Sequence, residues 1–180
     1  MQLNTLMSVS YAKASNWNSL TPPKELKQLV HSGFIEVESC CFLKYLYHKE
    51  TNVSPADFPD KTGLECFINS FHLEDYVEDN WLPYALWLIN QLFDKYAKLF
   101  NHKLLTAIVT QDDLSCTLRF HLKREGESWL DEDIESYQEE AILVIDSNER
   151  PSLGPSVVSR TKTKRNVPLL VEPPVWLKTG

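Results

Sequence analysis

From Leu114 to Lys123 the chain alternates without a break. Leu114, Cys116, Leu118, Phe120 and Leu122 fall on one side, and Ser115, Thr117, Arg119, His121 and Lys123 on the other. Successive side chains of an extended backbone point to opposite faces, so this period of two allows little except a strand with one face in a core. Such a strand needs a neighbour and a cover, and both lie just upstream. Leu104 to Thr110 reads as a second strand, joined to the first through the turn Gln111-Asp112-Asp113. Before it, Leu82, Leu86, Ile89, Phe93, Tyr96 and Phe100 recur at three- and four-residue steps, the spacing of one helical face. Asp79 or Asn80 can cap that helix, Pro83 fits its first turn and Asn101 its stop. Strands and helix segregated in this way predict an α+β fold: a mainly antiparallel sheet packed against a central helix at residues 81–100.

The remaining elements are less sharply written. Ala141 to Ile145 reads as a further strand flanked by acid. Thr21-Pro22-Pro23 opens a short helix that carries Leu26, Leu29 and Val30 and stops at Gly33. Phe34, Ile35 and Val37 favour a strand, whereas Phe42, Leu43, Leu46 and Tyr47 fit a helical face. Leu6 to Tyr11 is expected as an edge strand, Asn52 to Gly63 as a loop, and Leu64 to Leu73 as strand more than helix. Residues 1–150 are assigned to one globular domain. Residues 151–180 form a Pro-containing tail, with a basic segment at Arg160, Lys162, Lys164 and Arg165. The tail is expected either to wrap the domain through Leu169, Leu170 and Trp176 or to be partly disordered.

No basic start followed by an apolar run opens the chain, and no window of about 20 residues lacks polar groups. Cys40, Cys41, Cys66 and Cys116 contain no CxxC pair and sit mostly in apolar runs, as reduced structural thiols do. These features predict a cytoplasmic protein with no membrane partner.

Charge is the most informative functional signal. The net charge is −7, but residues 1–150 hold 24 acidic against 13 basic residues, and residues 151–180 hold 1 against 5. A strongly acidic domain disfavours nucleic acid as a direct partner, because phosphates select Lys and Arg. Two clusters stand out. One is Glu74, Asp75, Glu78 and Asp79, just before the long helix. The other contains Glu125, Glu127, Asp131, Glu132, Asp133, Glu135, Glu139 and Glu140, with Trp129, Ile134 and Tyr137 interleaved. Carboxylates before a helix complement its dipole. Eight in sixteen residues instead repel one another, a cost that a basic partner relieves. Glu74, Asp75, Glu78, Asp79, Trp129, Asp131, Glu132, Asp133, Glu135, Tyr137, Glu139 and Glu140 are therefore the candidate partner-binding residues. Charge would speed encounter, and the aromatic rings would supply short-range energy.

Motifs that name a reaction are missing. The five histidines show no HxH or HExxH spacing, and the five glycines form no phosphate-cradling pattern. No metal or cofactor is expected. The nearest enzyme-like features are the polar strand face of Thr117, Arg119, His121 and Lys123, and a nominal thiol–imidazole set of Cys66, Cys116 and His121.

The stretch from Thr62 to Tyr76, Thr-Gly-Leu-Glu-Cys-Phe-Ile-Asn-Ser-Phe-His-Leu-Glu-Asp-Tyr, resembles segments of bacterial immunity proteins from contact-dependent growth inhibition systems. The resemblance implies a small acidic cytosolic α+β protein that binds and blocks a cognate toxin domain. Together with the charge, it sets the expectation of a non-enzymatic inhibitor of a basic effector such as a nuclease toxin. The alternatives are a small enzyme assembled from His121, Arg119 and an acid, and an adaptor that docks through its C-terminal tail.

Overall fold

The computed structural model describes residues 1–14, 17, 20–49, 53–100 and 103–151. The proposed tail contacts, the basic segment and the Asn101 stop lie outside the described residues. The central sheet has five strands in the order β1 (Gln2–Leu3), β7 (Ala141–Asp146), β5 (Leu105–Gln111), β6 (Cys116–Leu122) and β4 (Phe71–His72), each neighbouring pair antiparallel. A separate hairpin joins β2 (Phe34–Val37) to β3 (Cys40–Leu43). The helices are α1 (Thr5–Lys13), α2 (Lys24–Ser32), α3 (Lys44–Tyr47), α4 (Lys61–Ile68) and α5 (Trp81–Leu99). The fold is α+β.

The alternation does what its spacing demands from Cys116 onward, whereas Leu114, expected on the same face, lies in the turn before β6 and is 85% exposed. Leu105, Ala107 and Val109 of β5 stand opposite Leu122, Phe120 and Leu118, and Ile145 and Leu143 of β7 continue the row. These side chains pack on α5, which buries Ala85, Leu86, Leu88, Ile89, Leu92, Phe93 and Tyr96. Phe120 meets Phe93 edge-on at 6.3 Å and Phe34 at 6.2 Å, so the β2–β3 hairpin shares this core. The opposite face carries Thr106, Thr110, Thr117, Arg119, His121 and Asp146. The chain after β6 folds back across it, so this polar face is not simply solvated. Arg119 lies against the Trp129 indole, 5.5 Å from the ring centroid, and His121 is only 6% exposed.

Two expected strands are helices. Leu6–Tyr11 lies within α1, where Asn4 accepts the Met7 N–H at 2.9 Å as a cap and Met7 and Tyr11, one turn apart, enter the core. Leu64–Leu73 is α4 followed by the short β4. Leu64 and Ile68 form one helical stripe, and Glu65 and Asn69 form another. Phe42 and Leu43 belong to β3 rather than a helix, and α2 opens at Lys24 with Pro23, not Thr21, at its cap position.

Glu65 and Asn69 join the hairpin to the sheet. The Glu65 carboxylate is fully buried. One oxygen accepts the Cys41 N–H of β3 at 2.6 Å, and the other the Leu122 N–H of β6 at 2.8 Å. Arg124 closes a two-pronged ion pair on both oxygens at 2.7 and 2.8 Å. Asn69 accepts the Leu43 N–H at 2.7 Å and donates to the carbonyls of Cys41 and Phe120, each at 2.8 Å. One turn of α4 thus satisfies two facing strand edges that would otherwise carry unpaired backbone groups. The segment from Thr62 to Tyr76 is therefore, at Glu65 and Asn69, part of the framework.

Candidate protein-docking surface

The acidic residues singled out in the sequence divide into those that hold the fold and those left free. Glu74 turns inward. One carboxylate oxygen accepts the Cys116 N–H at 2.9 Å, and the other lies 2.9 Å from His72 Nδ1. Partial burial opposes its charge, but the backbone donor and His72 outweigh that and hold its carboxyl below the usual range. Glu135 accepts the Thr5 N–H at 3.1 Å, a carboxylate at the positive end of α1. Asp133 accepts the Glu135 N–H at 3.1 Å. The Tyr137 hydroxyl accepts the Asp131 N–H at 3.1 Å, closing the 131–137 loop on itself. Glu127 likewise caps α4, accepting from the Thr62 backbone and hydroxyl at 3.0 and 2.9 Å.

Asp75, Glu78, Asp79, Asp131, Glu132, Glu139 and Glu140 remain exposed. The fold brings members of both clusters to the end of the molecule where β5 turns into β6. A groove of about 950 Å³ beside this turn is lined by Leu6, Val9 and Ser10 of α1 and by Asp112, Asp113, Tyr137, Glu139 and Glu140. Leu6, Val9 and Leu114 line it and are 43%, 51% and 85% exposed. A second hollow of about 440 Å³ adjoins it across Gln111, Asp112 and Asp113 and holds Glu78, Asp79 and Lys13. The turn between the two is rigidly built. Asp112 accepts the N–H groups of Leu114 and Ser115, both at 2.7 Å, and these bonds hold its carboxyl below the usual range.

The segment that crosses the sheet is pinned mainly by Asn4, which is 1% exposed. Its side chain accepts the N–H groups of Met7 and Ile142 and donates to the Glu140 carbonyl at 2.7 Å. Glu139 and Glu140 are therefore presented from a fixed backbone. Sequence reasoning missed Leu6, Val9, Leu114, Asp112 and Asp113, having placed the first two on an edge strand, Leu114 on the apolar face of the strand it opens, and the two acids in a connecting turn. The legible signal was at α1, whose apolar residues exceed the two that a single buried stripe at 7 and 11 accommodates.

Trp129, Asp131 and Glu132 do not join that end. With His121, Lys123 and Asp146 they line a hollow of about 350 Å³ over the outer sheet face. His121 Nδ1 lies 2.9 Å from the Leu122 carbonyl, and burial lowers the imidazole pKa. Arg119 does not line this hollow; it donates to the Thr110 hydroxyl at 3.2 Å. The nominal thiol–imidazole set is separated by the pleat of β6, with Cys116 in the core and His121 on the opposite face. All four cysteines are buried, and burial raises their thiol pKa values, which disfavours the thiolate. Among the described residues, no group of three or more His, Cys, Asp and Glu side chains is arranged to hold a metal ion. No helix among them is long and apolar enough to cross a membrane.

Comparison with known proteins gives a relative in Pasteurella multocida (strain Pm70), described as "Uncharacterized protein PM0498". It is 32% identical over 106 residues, covering 53% of this chain and 66% of the relative. The chain thus spans just under two thirds of that relative's length. No solved structure matches the chain. The family described as "Uncharacterized protein PM0498 family" matches residues 2–164. With that match across most of its length, the chain belongs to the uncharacterized protein PM0498 family.

Proposed function

We propose that this protein is a non-enzymatic inhibitor of the immunity type, which binds a basic effector such as a nuclease toxin domain through its acidic end. The groove between α1 and the β5–β6 turn carries the reading. It combines exposed Leu6, Val9 and Leu114 with the carboxylates of Asp113 and Glu139, which make no ion pair among the described residues. Exposed apolar side chains beside carboxylates suit a specific protein partner, because charge steers encounter and apolar contact supplies residence time. A nuclease domain fits by complementarity, since a surface that holds phosphates is one that carboxylates can occupy.

The test starts from the host protein retained by the immobilised chain and identified by mass spectrometry. Its association rate is then measured against wild type and the double reversal Asp113→Lys, Glu139→Lys. Steering of this kind predicts a rate that falls steeply with added salt and roughly a tenfold slower association for the reversal at low salt. A retained partner whose rate ignores both salt and the reversal rejects the reading.

A further inference from the structure

We infer that the hollow over the outer sheet face is a pocket for a single guanidinium group, supplied by an arginine of the partner. This rests on the proposed function, but its evidence comes from different residues. His121 is 6% exposed. Its Nδ1 faces a backbone carbonyl, which can only accept, so that nitrogen carries the proton and Nε2 presents a lone pair. Nε2 has no hydrogen-bond partner among the described residues, and His121 lines the hollow.

The charged donors around the hollow are already engaged. Thr106 donates to one oxygen of Asp146 at 2.8 Å, and Lys123 pairs with the other. Arg124 is committed to Glu65 and to the Ser39 carbonyl. Besides the Gln2 amide and the Trp129 indole N–H, the open groups are acceptors: His121 Nε2, and the Asp131 and Glu132 carboxylates in the exposed wall. Trp129 adds an indole that is 39% exposed, its position set by Arg119. An acceptor-lined recess beside an aromatic plane selects a flat cation that both stacks and donates, and guanidinium has this shape. Its volume, about 350 Å³, suits one side chain rather than a folded segment.

The probe is agmatine, a guanidinium compound without a carboxylate, titrated into the full chain. It is followed by ¹⁵N NMR at the His121 ring nitrogens and the Trp129 indole N–H. The expected result is a saturable shift of both signals with a Kd of about a millimolar. The affinity should fall at least fivefold in Asp131→Asn, Glu132→Gln, which alters only exposed side chains. Trp129→Phe, which retains a stacking face, should bind with His121 still reporting. A shift that does not saturate, or one unchanged in the double variant, overturns the inference. So does a stronger response to inorganic phosphate at the same signals.

The two proposals fail separately. If groove reversals slow the partner but agmatine leaves His121 unmoved, only the pocket is wrong. If agmatine binds and the reversals have no effect, only the groove reading is wrong.

Discussion

Glu65 and Asn69 occupy one face of α4 four residues apart, and between them they satisfy five backbone groups on two strands. Removing either should cost far more than its size suggests. Glu65→Gln leaves Arg124 without its carboxylate and turns an amide against a backbone N–H; breaking a buried ion pair in this way costs about 3–5 kcal/mol. Asn69→Ala strands one N–H and two carbonyls at about 1–3 kcal/mol each where they stay dry. Urea unfolding of both variants checks this. Midpoints close to wild type would show that α4 does not join hairpin to sheet. This pair also shows where reading from sequence failed. Leu64 to Leu73 is rich in apolar and aromatic residues, which suggested a strand, and a buried Glu was not anticipated. The clue was the polar repeat at 65 and 69 beside the apolar repeat at 64 and 68. It is intelligible only once both stripes are seen to face buried surroundings.

At the scale of elements, the β2–β3 hairpin turns through Glu38 and Ser39 with φ of 50° and 67°. Both lie in the left-handed region, where a Cβ costs roughly 1–2 kcal/mol per residue. The turn persists because its carbonyls are held from outside: Lys61 donates to Glu38 and Arg124 to Ser39, each at 3.0 Å. Ser39→Gly keeps that carbonyl and removes the clash, so it should stabilise by roughly 0.5–1 kcal/mol after glycine's entropy is counted. A lower urea midpoint would mean that the Ser39 side chain contributes something the backbone does not. Elements with an unbroken period were legible in the sequence: α5, β5, β6 and β7 stand within one or two residues of their expected bounds. The strand β2 was legible too, but β3 and α1 were not, because their identity depends on remote partners. Asn4 becomes a helix cap only when β7 and the 137–140 segment close on it. The groove was illegible for the same reason, since Leu6, Leu114 and Glu139 meet only in the folded chain.

Over the whole molecule, like charges have been gathered at one end at the expense of the free domain. Glu78, Asp79, Asp112, Asp113, Glu139 and Glu140 face adjoining hollows, and Lys13 is the one basic residue lining either of them. Repulsion among exposed carboxylates is modest for each pair, but it persists until a cation arrives. Asp113 and Glu139 make no side-chain hydrogen bond or ion pair among the described residues, whereas Glu140 lies in the field of Arg119. Asp113→Lys, Glu139→Lys should therefore raise the stability of the isolated chain, by roughly 0.3–1 kcal/mol in dilute buffer. The gain should shrink toward zero as about 0.3 M salt screens the end. The same substitutions should slow the basic partner. Opposite signs for stability and binding would identify an end shaped for association rather than for folding. Urea midpoints in dilute and concentrated salt, set beside association rates for the same variant, decide the matter. If the double reversal destabilises the free chain at both salt concentrations, these carboxylates serve the fold, and the acidic end loses its claim as the docking surface.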